Sequence, residues 1–167
     1  IVQERFAPGL PDGAESAEQR LASMISGANA AIYAAASSDE TLAGMGTTCT
    51  AAFLGDEYLA IAHVGDSRVY RYRAGKLDQL TEDHSLLNDY IKMKRLTAEE
   101  IANFPHKNVI VRALGMKDTV KVDTRFEVPA VNDTYLLCSD GLCGPVTDDE
   151  MQQILRDNAD LKAGCAQ

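Results

Sequence analysis

The chain has 167 residues, of which 46% are hydrophobic and 25% charged, and a formal net charge of −9. That length makes one domain, able to bury roughly 70% of its unfolded surface. The acidity argues against a nucleic-acid partner, because like charges repel a phosphate backbone. No apolar stretch approaches the ~18 residues of a membrane-crossing helix, and nothing at the N-terminus reads as a signal peptide.

Residues 1–14 contain Pro8-Gly9 and Pro11-Asp12-Gly13 and read as a loop. Ser16 to Gln19 makes an S-x-x-Q capping box, expected to open a helix. Its apolar positions Leu21, Met24, Ile25, Ala28, Ile32 and Ala35 fall on one face. Gly44-Met45-Gly46 breaks that pattern. Thr47–Leu54 and Tyr58–Val64 then read as a hairpin around Gly55-Asp56-Glu57. Both strands are apolar or small on both faces, which predicts central strands covered on each side. Arg68–Arg73 and Lys76–Leu80 make a second hairpin, whose charges predict a more exposed part of the sheet.

Residues 82–108 are polar, with helical stretches near Ser85–Lys94 and Thr97–Asn103. The second opens with a T-x-x-E box and stops at Pro105. An insertion of this size is either a functional flap or a long connection. Asn108–Leu114 fits helix or strand equally. Thr119–Val128 alternates, with Val120, Val122, Thr124, Phe126 and Val128 opposite Lys121, Asp123, Arg125 and Glu127. That predicts a half-exposed strand with the apolar set inward. Asn132-Asp133 leads into a buried strand, Thr134–Cys138, and a last helix begins at Thr147 with Glu150 completing its cap. The order of elements predicts an α+β fold with mainly antiparallel sheets.

Chemistry concentrates in two acidic turns. Gly65-Asp66-Ser67-Arg68 follows one apolar run and Ser139-Asp140-Gly141-Leu142 follows another. A lone aspartate leaving a buried strand is well placed to ligate Mg²⁺ or Mn²⁺, which favour carboxylate oxygen. The same residues are also good turn formers. Arg68 has three readings: partner of Asp66, contact for a phosphate, or surface arginine. Gly44-Met45-Gly46-Thr47-Thr48 is no phosphate loop, since it lacks G-K-[ST] and precedes a strand. His63 reads as a core histidine, and His84 as a capping or exposed residue at a helix start. His106, beside Lys107, is a candidate anion contact or an exposed loop residue. There is no G-x-S-x-G and no arguable Cys–His dyad. The four cysteines form no C-x-x-C pair, which fits a reducing, cytoplasmic compartment and argues against structural zinc.

Four segments then occur in a telling order: Gly44-Met-Gly-Thr-Thr48, Val64-Gly-Asp-Ser-Arg68, Arg112-Ala-Leu-Gly115 and Leu137-Cys-Ser-Asp-Gly-Leu142. Together they resemble the metal-dependent protein phosphatases of type 2C, the PPM family, in its bacterial branch, over roughly residues 15–156. The resemblance implies a four-layer α-β-β-α sandwich with antiparallel sheets, and hydrolysis of phosphoserine and phosphothreonine in proteins with Mn²⁺ or Mg²⁺. It implies two cations ~4 Å apart sharing an attacking water, without a phosphoenzyme. Asp140 matches a metal-binding aspartate, and Asp66 matches the aspartate of a further, weaker metal. Residues 82–108 match the flap. Arg68 and His106 become candidates for substrate binding. The implied partners are phosphorylated proteins and a cognate kinase.

The departures are as informative. The family's R…N-E-D, D-G-[HM]-G-G and late G-x-D-N segments do not occur, and Asp12-Gly13 does not replace them. The chain therefore reads as one partial domain over 1–167, expected to be incomplete in its sandwich and to hold part of a site. A non-catalytic binding or regulatory module is the alternative.

Overall fold

The computed structural model describes residues 14–94, 96–105, 109–158 and 160–166. His106 and Asp12-Gly13 lie outside the described residues.

Strand β2 (Leu59–Val64) is buried along its whole length, and its alternation sets the layers. Ala60, Ala62 and Val64 point one way and pack with Ala17, Leu21, Ile25 and Leu114. Leu59 and Ile61 point the other way and meet Val69 and Leu80. Helix α1 (Ala14–Ser38) covers the first side. Its expected stripe is the buried one: Leu21, Met24 and Ile25 are nearly solvent-free, and Ala28 and Ile32 pack against the same core. Ser16 does not cap this helix, which is already formed at Ala14. Alanine and glutamate at 14 and 15 are strong helix formers and carry it past the serine.

The first sheet has the order β1 (Cys49–Leu54), β2, β5 (Asp123–Glu127), all antiparallel. The second has the order β4 (Lys76–Gln79), β3 (Arg68–Arg73), β6 (Thr134–Cys138), also antiparallel. Helices α2 (Leu86–Lys94) and α3 (Ala98–Ala102) lie in the connection between the sheets, the latter with its Thr97/Glu100 capping box formed. After β6 come the short α4 (Asp140–Cys143), then α5 (Asp148–Asp157) and α6 (Leu161–Gly164). The Thr147/Glu150 box opens α5 as expected. Helix α5 lies on the second sheet: the Leu77 amide donates to Gln152 Oε1 at 2.9 Å, and the Tyr70 hydroxyl donates to Asp148 Oδ1 at 3.0 Å. The result is helix, sheet, sheet, helix.

Four expectations about burial change. Among the described residues strand β1 is an edge, paired only with β2, and its Leu54 is 63% exposed. Among the same residues strand β6 is likewise an edge, with Leu137 45% exposed. Over 119–128 the faces divide: Val120 and Val122, just before β5, pack against the core as expected, but Phe126 is exposed and Glu127 is buried. The charged side of β5 turns toward the space between the sheets because arginines answer it there. Arg71 Nη1 donates to Glu127 Oε2 at 2.8 Å, and Arg125 Nε to Glu127 Oε1 at 2.6 Å. The second hairpin is also less exposed than its charges imply. Strand β3 is central, with Val69 and Tyr70 fully buried, and its Arg71 and Arg73 are paired with Asp78 and Asp133. A charged seam of this kind specifies one register more than it adds stability.

Segment 109–114 is neither helix nor regular strand; it holds two isolated bridges, Ser85 with Ile110 and Thr47 with Leu114.

Candidate functional site

Strand β6 pairs with β3 so that Cys138 faces Arg68. Two residues beyond that pair, Asp66 enters β3 and Asp140 leaves β6 at the same end of the sheet. The carboxyl of Asp66 feels the arrangement. Burial raises its pKa first, Asp140 and Asp83 raise it further, and Arg68 lowers it. Asp140 is exposed at the first residue of α4.

The turn that presents Asp66 is braced from three sides. Gly65 has φ +110, and a Cβ there would stand 2.3 Å from Thr48 Cγ2. Thr48 Oγ1 shares a hydrogen bond of 2.9 Å with Ser67 Oγ, and Thr50 Oγ1 donates to the Ser67 carbonyl at 2.8 Å. Thr48 and Thr50 therefore hold the acidic turn. The third brace is His84, whose Nδ1 accepts from the Gly65 amide at 2.9 Å while its own amide donates to the Gly65 carbonyl at 3.0 Å.

Arg68 hydrogen-bonds to Asp83 and Tyr70 rather than to Asp66. Its Nε and Nη2 donate to the Asp83 carboxylate at 2.9 and 2.6 Å, and its Nη1 to the Tyr70 hydroxyl at 2.8 Å. These bonds hold the guanidinium pKa above its ordinary range.

Between the sheets lies a cluster that local sequence does not announce. His63 and His84 are each only 5% exposed and stack with ring centroids 4.6 Å apart. His84 Nε2 is 3.0 Å from Asp123 Oδ2, and Arg112 Nη1 is 3.0 Å from Asp123 Oδ1. His84 is thus neither an exposed residue nor a helix cap. Finding the cluster needs the pairing of β2 with β5, which sets His63 opposite Asp123. Asp83, Asp123 and Arg112 become functional candidates only in the folded chain.

His63, His84 and Asp123 bring three potential metal-ligand atoms within 4.8 Å. The tautomer rules that reading out for His84. A neutral ring has one lone pair on nitrogen, and at His84 it faces the Gly65 N–H, so Nε2 carries the proton and donates to Asp123.

The same burial makes the histidines acid-sensitive. Burial, then His84, lower the His63 pKa to about 4, and burial lowers that of His84. Both folded values lie below the unfolded ~6.5, so their stabilisation is complete above that pH and is lost as pH falls from there toward 4. The urea midpoint is expected to drop across this window. His63→Phe, which keeps an aromatic partner for His84 but cannot titrate, should flatten the drop.

A family model described as protein phosphatase 2C matches residues 1–162, nearly the whole chain. The chain belongs to the protein phosphatase 2C family. The serine/threonine phosphatase stp of Listeria monocytogenes is 44% identical over 149 residues, which cover 89% of this chain and 59% of that protein. The structure of serine/threonine phosphatase Stp1 from Staphylococcus aureus matches with a TM-score of 0.87 at 31% identity, over 98% of this chain and 64% of that one. The catalytic domain of PstP in complex with two manganese ions matches with a TM-score of 0.75 at 31% identity, over 93% and 63%. This family member therefore spans about three-fifths of the length of each of these three chains.

For a protein phosphatase 2C the relevant cofactor is a divalent cation, and the donor set at the acidic turns suits one. Two carboxylates converge where Asp140 makes the charge of Asp66 costlier, and a hard cation reverses that cost. The third nearby carboxylate, Asp83, is engaged by Arg68.

Proposed function

We propose that this chain takes part in the metal-dependent hydrolysis of phosphoserine and phosphothreonine in proteins. The observation that carries the reading is the convergence of Asp66 and Asp140 at one end of the β3–β6 pair. Asp140 serves the catalytic cations and Asp66 a peripheral one. When bound, such cations supply Lewis acidity that activates water and offsets charge on the phosphoryl oxygens. The chain's own residues do the positioning: Thr48, Thr50 and His84 fix the Asp66 turn, and Arg68 holds Asp83 beside it.

The two manganese ions of the PstP structure support a divalent cation, Mn²⁺ or Mg²⁺, for this chain. Arg68, through N–H groups not used by Asp83 and Tyr70, and His106, in the 82–108 insertion, are the substrate-side candidates. The insertion itself is read as a flap over the site. A serine/threonine kinase is the counter-enzyme such a substrate requires. Four free thiols, Cys49, Cys138, Cys143 and Cys165, support a cytoplasmic setting. Among the described residues no helix is long and apolar enough to cross a membrane.

The test is Mn²⁺-linked thermal stabilisation together with turnover of p-nitrophenyl phosphate. Mn²⁺ is expected to raise the melting temperature of the wild type, and Asp140→Asn to lose most of that rise. Turnover by this chain should stay near background, because two free carboxylates are too few to hold two cations. Robust turnover abolished by Asp140→Ala would show that more of the catalytic site lies within this chain than Asp66 and Asp140. An equal Mn²⁺ response in wild type and Asp140→Asn would overturn the metal assignment.

A further inference from the structure

We propose that His84 is a positioning residue for Asp66, acting through the peptide that immediately precedes it. The inference rests on the reading of Asp66 as a metal ligand.

Gly65 is clasped at both of its polar groups by one residue. Its N–H donates to His84 Nδ1 at 2.9 Å and its carbonyl accepts from the His84 N–H at 3.0 Å. Two bonds to one residue fix the plane of a peptide, not only its place. At φ +110, Gly65 has backbone freedom that no other residue shares. The direction in which Asp66 leaves the sheet therefore depends on what restrains Gly65.

The clasp is itself anchored at its far end. His84 Nε2 meets Asp123 Oδ2 at 3.0 Å on β5, and Arg112 Nη1 lies 2.9 Å from Nε2 and 3.0 Å from Asp123 Oδ1. His84 Nε2 donates to Asp123 Oδ2, while Arg112 Nη1 donates to the Lys121 carbonyl at 3.3 Å and makes an ion pair, not a hydrogen bond, with Asp123 Oδ1. Asp123 thereby sets the tautomer that leaves Nδ1 free to accept. The ring is held flat against His63, at 18° between planes. The order of influence runs from Arg112 and Asp123 through His84 to Gly65 and Asp66. The Arg112-Ala-Leu-Gly115 and Gly65-Asp66-Ser67-Arg68 segments meet in this one network.

Two isosteric substitutions separate the halves of the clasp. In His84→Asn, the amide oxygen takes the place of Nδ1 and keeps an acceptor for Gly65. In His84→Gln, the longer side chain reaches toward Asp123 and leaves Gly65 without its acceptor. Both lose the ring stack, so both should lose thermal stability by similar amounts. Amide hydrogen exchange at Gly65 should separate them. His84→Asn should stay near the wild type, while His84→Gln should exchange about ten- to a hundredfold faster, as an N–H deprived of its acceptor does. Mn²⁺ affinity should follow the same split, with Asp66→Asn as the reference for outright loss of the ligand.

Equal Gly65 exchange in the two variants would reduce His84 to a packing residue and overturn the proposal. Nitrogen chemical shifts of the unsubstituted protein supply an arm that needs no variant to fold: a proton on Nδ1 overturns the proposal directly. If Asp66→Asn leaves Mn²⁺ affinity unchanged, the metal reading of Asp66 falls, and with it the role proposed for His84, even where the exchange rates establish the clasp on Gly65.

Discussion

Gly65→Ala is expected to destabilise the chain by about 3 kcal/mol or more, the sum of backbone strain and overpacking. The strain arises because φ is +110, where an L side chain meets its own backbone. The overpacking arises because the new methyl would stand 2.3 Å from Thr48 Cγ2 and 3.1 Å from Thr48 Cα. The second contact is with main chain, so rotating the threonine does not relieve it. Thr48 also holds Ser67, and any shift that admits the methyl loosens the Asp66 turn. Gly75→Ala is the matched control. Its φ is +84 but nothing lies within 4 Å of the new methyl, so it should show the strain alone, about 1 kcal/mol. Urea unfolding of both variants against the wild type separates the two contributions. Equal losses would show that the Thr48 contact relaxes.

Asn29→Leu is expected to cost about 3 kcal/mol, although it places an apolar side chain of similar size on the buried face of a helix. Asn29 is 1% exposed. Its amide nitrogen donates to the carbonyls of Lys117 and Asp118, both at 3.1 Å, and its oxygen accepts from the Gly115 amide at 2.9 Å. Leucine would satisfy none of the three. The segment 115–118 turns sharply, with Gly115 at φ +84 and its Cβ direction closed by the Met45 carbonyl at 2.6 Å. With the amide gone, that turn has no substitute donor on the helix face. Thermal unfolding should show the loss. A drop as small as that of a surface substitution would mean that water replaces the amide.

Asn29 illustrates what the sequence makes legible. Around it the stripe from Leu21 to Ile32 predicts the packed face of α1 from spacing alone. The asparagine on the same face has no spacing signal, because its partners lie nearly ninety residues away. The capping boxes at Thr97 and Thr147 were readable because both partners sit within one turn. Strand β2 was readable as buried on both sides because its residues are apolar on both. Strand β1 looks the same in composition but ends its sheet among the described residues, and only the strand order shows that. The burial of Glu127 in β5 has the same origin. The charged face of that strand turns inward because Arg71 and His84 come from elements far away in the chain. The two acidic turns were visible as motifs, but their convergence depends on the register of β6 against β3.

That register also bears on how the chain folds. The β1–β2 and β3–β4 hairpins close locally, but β5 pairs with β2 and β6 with β3 across roughly sixty to seventy residues. Pairings this distant carry the loop-closure entropy before any contact rewards it, and they slow folding. During synthesis both hairpins emerge before either third strand exists. The two acidic turns are therefore the last part of the sheet to be brought together. Pulse-labelling should find the hairpin amides protected first, with those of β6 protected only in the final phase.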